Sequence, residues 1–305
     1  MSLQVRIEND AIRMEVWPQF GGKVSSIVDK ADKFELLFNY PAEIPTGSQY
    51  GRPYPSSWYA GWDECFPAIG PGPYPGHPYD GIGVPDHGEL WGLPTTAVPT
   101  KDGITTVWHG LRFGYRFSRK LYLDGSTIRA DYTLVNLAPF EFRFVWAMHA
   151  LMDMGSPVEF ELPSDTEYIW SHDATGAEYG QRFRLHDEAG ELKDLPRPSS
   201  LPDQKSWKVF SSEPIARPIR VRYPSRVSGR AISVGYSSPS ALNAYWGIWI
   251  NTGGWVHHRH FALEPTTGRS DQLDRAVRDG SAGKVAGMGR AEWSVSISLD
   301  AARSS

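Results

Sequence analysis

The chain has 305 residues, a formal net charge of −4, 40% apolar and 22% charged residues, and one cysteine, Cys65. This is enough apolar material for one large domain or two ordinary ones. The charge balance excludes a basic nucleic-acid footprint, and a single cysteine excludes both an internal disulfide and a Cys-x-x-Cys metal site.

The first thirty residues mix apolar positions with Glu8, Asp10 and Glu15, unlike the basic-then-apolar order of a secretory signal. No stretch approaches the ~20 apolar residues of a membrane helix. A cytoplasmic protein with no nucleic-acid or membrane partner is expected. Within the opening segment, Leu3, Val5 and Ile7 alternate, and Ile12, Met14 and Val16 resume the pattern, so a hairpin turning at Glu8 to Ala11 is predicted. Gly21-Gly22 reads as a turn, followed by short strands at Val24 to Val28 and Leu36 to Phe38.

Residues 41–94 differ. They are crowded with Pro, Gly, Tyr and Trp and show little periodicity, including Trp58, Trp62, Phe66 and the run PGPYPGHPYDGIGVPDHGELWG. So long an irregular segment is expected to be an ordered loop that builds or covers a site, or one that merely covers a sheet edge. Its aromatic rings suit a β core, and equally suit stacking on the apolar face of a sugar.

Strands resume at Thr105 to Trp108. Tyr115, Phe117, Arg119, Leu121 and Leu123 alternate, and after Asp124-Gly125-Ser126 the positions Ile128, Ala130, Tyr132 and Leu134 run back. This is the clearest hairpin, although a buried face there would have to accommodate Arg119. Phe142 to Met152 reads as one apolar strand interrupted by His149, and Val158 to Leu162 as another. Residues 164–208 are polar, and helix fragments and loops are expected there. Further strands are predicted at Lys208–Phe210, Ile219–Tyr223, Ala231–Tyr236, 241–250 and Trp293–Leu299, with fraying after Ala301. No linker interrupts the strand signals. One large, mostly antiparallel all-β sandwich spanning 1–305 is expected.

Three stretches carry titratable groups in unusual company: Asp86-His87-Gly88-Glu89, His149 within Trp146-Ala147-Met148-His149-Ala150, and Glu264 after Phe261-Ala262-Leu263 and before Pro265. His149 is either a satisfied core histidine or half of a proton-transfer pair with Glu264. Glu264 is either a turn residue or the working carboxylate. His257, His258 and His260 form an HHxH cluster. In a strand His258 and His260 share a face, and a metal site would need further ligands such as Asp63, Glu64 or His77. A polar rim to a cleft is the alternative.

The order of these pieces resembles the aldose 1-epimerase (mutarotase) family and its wider galactose-mutarotase-like superfamily. The resemblance rests on Phe20-Gly21-Gly22-Lys23-Val24, His87-Gly88, His149, Ser238-Pro239 through Tyr245 to Asn251, and Leu263-Glu264-Pro265 with Asp271. It covers nearly the whole chain. It implies the supersandwich fold of that superfamily and no cofactor. The implied substrate is a monosaccharide or sugar derivative whose α and β anomers are interconverted. It further implies His149 as the acid at the ring oxygen, Glu264 as the base at the anomeric hydroxyl, and His87 as a sugar-binding group. The chain departs from the family pattern at Glu89, Met148 and Thr266 and in the Asp63-Glu64-Cys65-Phe66-Pro67 loop, so altered sugar reading is expected. Asp63, Trp58, Trp62, Trp91 and Arg259 are the candidate substrate-binding residues. Arg52, Arg112 and Arg259 are candidates for reading a phosphate or carboxylate. Two other functions compete with epimerisation: sugar binding or sensing without turnover, and a metal-dependent isomerase or lyase built on the histidine cluster.

Overall fold

The computed structural model describes residues 4–39, 49–163, 165–173, 179–184, 195–226, 228–240 and 242–300. Expectations for Leu3, 41–48, 174–178, 185–194, Ala241 and 301–305 lie outside those residues.

Two large antiparallel sheets account for most strands. The 11-stranded sheet runs Val5–Glu8, Ile12–Trp17, Lys23–Asp29, Trp62–Cys65, Ala147–Asp153, Arg259–Thr266, Tyr245–Thr252, Ser206–Ser211, Glu167–Asp173, Arg182–Arg184, with Phe34–Glu35 pairing off this path. The 8-stranded sheet runs Glu159–Glu161, Ile219–Arg222, Ala231–Ser237, Arg290–Asp300, Thr127–Asn136, Tyr115–Asp124, Gly103–His109, Thr96–Pro99. They pack as the expected β-sandwich. Among the described residues the one α-helix is the short Leu273–Arg278. No described helix is long and apolar enough to cross a membrane.

The predicted hairpins form. Asp124 pairs with Thr127 across Gly125-Ser126, and Gly125 has φ +58°, as a tight hairpin turn requires. The alternation of Ile128, Ala130, Tyr132 and Leu134 sends all four into the core. Each fully buried large apolar side chain contributes about 1.5–3 kcal/mol. Arg119 shares the buried face of its strand and is fully enclosed. Its guanidinium reaches across the sandwich to Glu64 Oε1 at 2.8 Å, donates to the Gly22 carbonyl, and lies over the rings of Trp62 and Trp108. Glu64 also accepts hydrogen bonds from Tyr132 Oη and from the indoles of Trp62 and Trp146. The two sheets are thus joined through a buried polar knot in their apolar core.

Three expectations are corrected. Residues 142–152 are two strands: Phe142–Phe144 pairs with Gly283–Val285, and Ala147–Asp153 lies in the large sheet. The break falls at Val145-Trp146, where the backbone amides turn to Pro67 and Thr267 instead of a ladder. In the described part of the polar stretch 164–208, Glu167–Asp173 and Arg182–Arg184 are strands at one end of the large sheet where helix fragments were expected, and the helical piece there is the 3-10 turn Pro198–Ser200. Finally, the aromatic loop contains Trp62–Cys65, a strand near the middle of the large sheet with every residue buried. A strand covered on both faces shows no polar–apolar alternation, so periodicity passes over it.

Candidate active site

The site is a consequence of register. Trp62–Cys65 places Asp63 opposite His149. On the other side of the His149 strand, the pairs Ala147↔Thr266 and Leu151↔Ala262 bracket His149 and Glu264, which therefore face each other. Glu264 in turn pairs with Gly247, and one step along the next pair of strands Lys208 meets Trp249. Directly opposed residues share a face. Asp63, His149, Glu264, Trp249 and Lys208 therefore all project from the outer face of the large sheet, while Glu64 and its partners fill the inner one. Gly247 leaves room for this packing. A Cβ there would stand 3.1 Å from both Glu264 Oε2 and a ring carbon of Phe210.

Behind His149 lies a chain of buried groups. The Lys23 ammonium bonds Asp63 Oδ2 and donates to the Ala60 carbonyl at 2.7 Å. Tyr54 Oη, also fully buried, donates to the same Asp63 oxygen at 2.8 Å. Burial first, and Asp63 second, raise the Tyr54 phenol well above its ordinary value, so it keeps its proton. That single proton is committed to Asp63. The contact of 3.3 Å between Tyr54 Oη and His149 Nδ1 is then a hydrogen bond donated by the imidazole. This assigns the Nδ1–H tautomer and leaves the Nε2 lone pair pointing the other way. Burial, reinforced by His87 and Lys208, pushes His149 well below the ordinary histidine value, so the resting ring is neutral.

His149 Nε2 faces Glu264 Oε1 at 3.8 Å. Glu264 divides its oxygens. Oε2 is bonded by the Lys208 ammonium, whereas Oε1 has no hydrogen-bond partner among the described residues. Lys208 also lies 3.7 Å from Asp271 Oδ1, and Asp271 Oδ2 accepts from Ser171 Oγ at 2.5 Å. Burial raises the Glu264 carboxyl and Lys208 opposes it, the first effect prevailing. Burial would lower Lys208, but Glu264 and Asp271 outweigh it and hold the ammonium above its ordinary value. The ammonium is therefore secure, and the carboxylate is the member whose charge burial contests.

The opposite wall comes from the aromatic loop. Asp86 accepts from the Tyr54 amide and from His87 Nδ1, both at 2.8 Å. The His87 ring stacks on Tyr54 at 3.9 Å and meets the edge of His149 at 4.9 Å. His87 has φ +58°, and Gly88 follows at φ +74°, where a Cβ would collide with the Phe66 carbonyl at 2.1 Å. Only glycine permits this approach of the loop to the sheet. Glu89 is fully buried and accepts from Tyr50, Tyr115 and the Arg112 amide, anchoring the loop from below.

Together these walls enclose a cleft of about 360 Å³, of a size suited to a small ligand. His149, His87, Asp86, Tyr54, Lys208 and Asp271 line it, with the indoles of Trp249 and Trp255.

Of the residues anticipated from sequence, His149 and His87 reach the cleft. Glu264 lies in contact with both His149 and Lys208 but is fully enclosed and does not line the cleft. Asp63 is likewise enclosed and acts on the site only through Tyr54 and Lys23. The stacking candidates are corrected. Trp62 is in the inter-sheet core, bonded to Glu64. Trp91 is buried with its edge on Tyr54 and its indole on the Asp86 carbonyl. Trp58 packs against Trp17 and Phe20 beneath the Lys23 ammonium. Arg259 pairs with Asp203 and does not line the cleft. The strand expected to carry the histidine cluster begins only at Arg259, so His257 and His258 precede it, and His257 has φ +57°. His260 is buried, and its Nε2 accepts the Trp249 indole proton at 3.2 Å. No metal-holding group of His, Cys, Asp and Glu forms among the described residues.

Sequence reasoning missed Lys208, Tyr54, Trp249 and Trp255. For Lys208 a signal existed: it is the lone charge in Ser206–Ser211, a strand with every residue buried.

Solved structures with this architecture span nearly the whole chain. The Slr1438 protein of Synechocystis sp. PCC 6803 superposes with a TM-score of 0.72 at 16% identity, covering 99% of this chain and 96% of its own. The galactose mutarotase related enzyme of Lactobacillus acidophilus gives 0.71 at 13% identity, covering 98% of both chains. A galactose mutarotase-like protein of Clostridium acetobutylicum gives 0.71 at 15%, covering 98% and 96%. No family model matches the chain, and none of the curated proteins compared with it is similar in sequence.

Proposed function

We propose that the protein, which has the galactose-mutarotase-like fold, interconverts the α and β anomers of a sugar by acid–base opening and closure of the ring. The observation that carries this reading is the in-register pair His149 and Glu264, 3.8 Å apart, with His149 lining the aromatic-walled cleft and Glu264 enclosed directly behind it. Anomer exchange needs one acid and one base near a single hemiacetal. Tyr54 and Asp63 orient one of them, and Lys208 holds the other.

The resting protonation follows from burial. His149 is neutral with a free Nε2, so in this direction it receives the proton of the anomeric hydroxyl. The proton for the ring oxygen then comes from the Glu264–Lys208 side, and the roles exchange on closure. This differs from the assignment that the resemblance implies, which puts His149 as the acid at the ring oxygen and Glu264 as the base at the anomeric hydroxyl.

The cleft favours a neutral sugar. Among the described residues no arginine lines it, Lys208 is engaged by two carboxylates, and Asp86 and Asp271 face it. A phosphate or carboxylate on the sugar would meet these acidic groups, with no free cation among the described lining residues to receive it.

NMR exchange spectroscopy on neutral aldoses and their phosphates, with wild type beside Glu264→Gln, tests this. Accelerated exchange of a neutral aldose that collapses in the variant supports the reading, and normal turnover in the variant sinks it. Sugar binding without turnover is the second reading, favoured by the enclosure of Glu264 behind the cleft wall. Binding by wild type with no exchange would establish it instead.

A further inference from the structure

Resting on the anomerase reading, we propose that Lys208 is the catalytic group that touches the sugar opposite His149, with Glu264 acting through it. The geometry is direct. Lys208 lines the cleft and Glu264 does not. The Lys208 ammonium occupies Glu264 Oε2, so a sugar entering the cleft meets the ammonium and the His149 imidazole, not that carboxylate oxygen. Ser206, two residues earlier, also lines the cleft, and the indole of Trp249 beside Lys208 offers the ring an apolar wall.

The step balances with these two groups alone. His149 Nε2 takes the proton of the C1 hydroxyl, and the O–H electron pair becomes the second C1–O bond of the aldehyde. The C1–ring-oxygen pair moves onto the ring oxygen, which takes a proton from Lys208 Nζ. Rotation about C1–C2 and reversal of the same transfers give the other anomer and restore both groups.

The placement of Glu264 now has a reason. As the reaction proceeds, positive charge leaves Lys208 beside Oε2 and arrives on His149 beside Oε1, 3.8 Å away. One buried carboxylate faces the charge at both ends of its path, so the net charge of the site is unchanged throughout. Burial keeps His149 neutral at rest, while Glu264 and Asp271 keep Lys208 charged, which is the starting condition the step needs.

The experiment compares wild type with Lys208→Arg and Lys208→Ala by NMR anomer exchange and sugar-binding calorimetry on the same neutral aldose. Arginine keeps the charge and the Glu264 contact but does not surrender a proton. It should bind sugar while losing about 10²-fold or more in kcat. Lys208→Ala should regain turnover with added methylammonium, and other primary ammonium ions should rescue it in the order of their acidity. Full kcat in Lys208→Arg overturns the assignment. So does a Lys208→Ala protein that binds sugar yet gains nothing from methylammonium. No exchange by wild type on any aldose overturns the anomerase reading itself, and is thereby distinguished from a failure of Lys208 alone.

Discussion

Asp63 and Glu64 are consecutive in the chain, yet their carboxylates serve opposite faces of one sheet. Asp63 turns outward to Lys23 and Tyr54 behind the cleft, and Glu64 turns inward to Arg119 between the sheets. The period of two along a strand separates them. The same short segment therefore backs the cleft and ties the sandwich together, and substitutions at the two positions should have different consequences.

Glu64→Gln removes the charge that compensates a fully enclosed guanidinium. The expected loss is about 3–5 kcal/mol of stability, because breaking a buried pair strands the other partner. The double variant Glu64→Leu with Arg119→Met should be less destabilised than either single change. Urea unfolding of wild type, Glu64→Gln, each of the two single changes and the double variant makes the comparison. Equal midpoints for wild type and Glu64→Gln would contradict the polar knot.

Tyr54→Phe deletes the acceptor that holds His149 in the Nδ1–H form and a donor to Asp63. Turnover should fall at least about tenfold, since a misplaced imidazole proton disables proton transfer without disturbing the fold. Nitrogen-15 NMR of the histidines reads the cause: the His149 signal should shift from a single tautomer toward a mixture. An unchanged tautomer in the variant argues that Tyr54 does not orient the ring.

The aromatic residues divide cleanly between cleft and core. Trp255→Ala should raise KM by about tenfold with kcat nearly preserved, as expected for a contact made equally in ground and transition states. Trp62→Ala should instead cost about 3–5 kcal/mol of stability, leaving KM near wild type. If Trp62→Ala proves stable and weak in sugar binding, the placement of these indoles is wrong.

Burial lowers two histidines, His149 well below its ordinary value of 6.5 and His260 to about 3. Each binds its proton more readily in the unfolded chain. Stability therefore rises with pH across the interval between folded and unfolded values. The contribution is fully present above about pH 6.5 and is lost as pH falls toward the folded values, with a slope of up to about 1.4 kcal/mol per pH unit for each histidine. Urea midpoints measured from pH 7 to pH 4 should show this fall, and His260→Gln, which retains an acceptor for the Trp249 indole, should flatten it. A slope indifferent to that substitution would mean His260 is not held neutral.

Much of the fold could be read along the chain. Alternation in Tyr115 to Leu134 and in Trp293 to Leu299 requires one face of each strand to be apolar and buried, whatever lies beside it. His149 and Glu264 stood out because each interrupts an apolar run. Trp62–Cys65 did not, because burial on both faces erases alternation, and the choice among twelve tryptophans was equally hidden. Sequence sets only which face of its own strand a side chain occupies. Which strand lies beside it is decided by topology, through pairings between segments far apart in the chain. That is how Lys208 came to rest on Glu264, 56 residues away, while a 3-10 turn of the aromatic loop brings Tyr54 onto His149, 95 residues away. Local periodicity determined the sandwich and marked two of its unusual residues. Only the assembled sheet, by fixing register between distant strands, decided which groups face the cleft and which stand behind it.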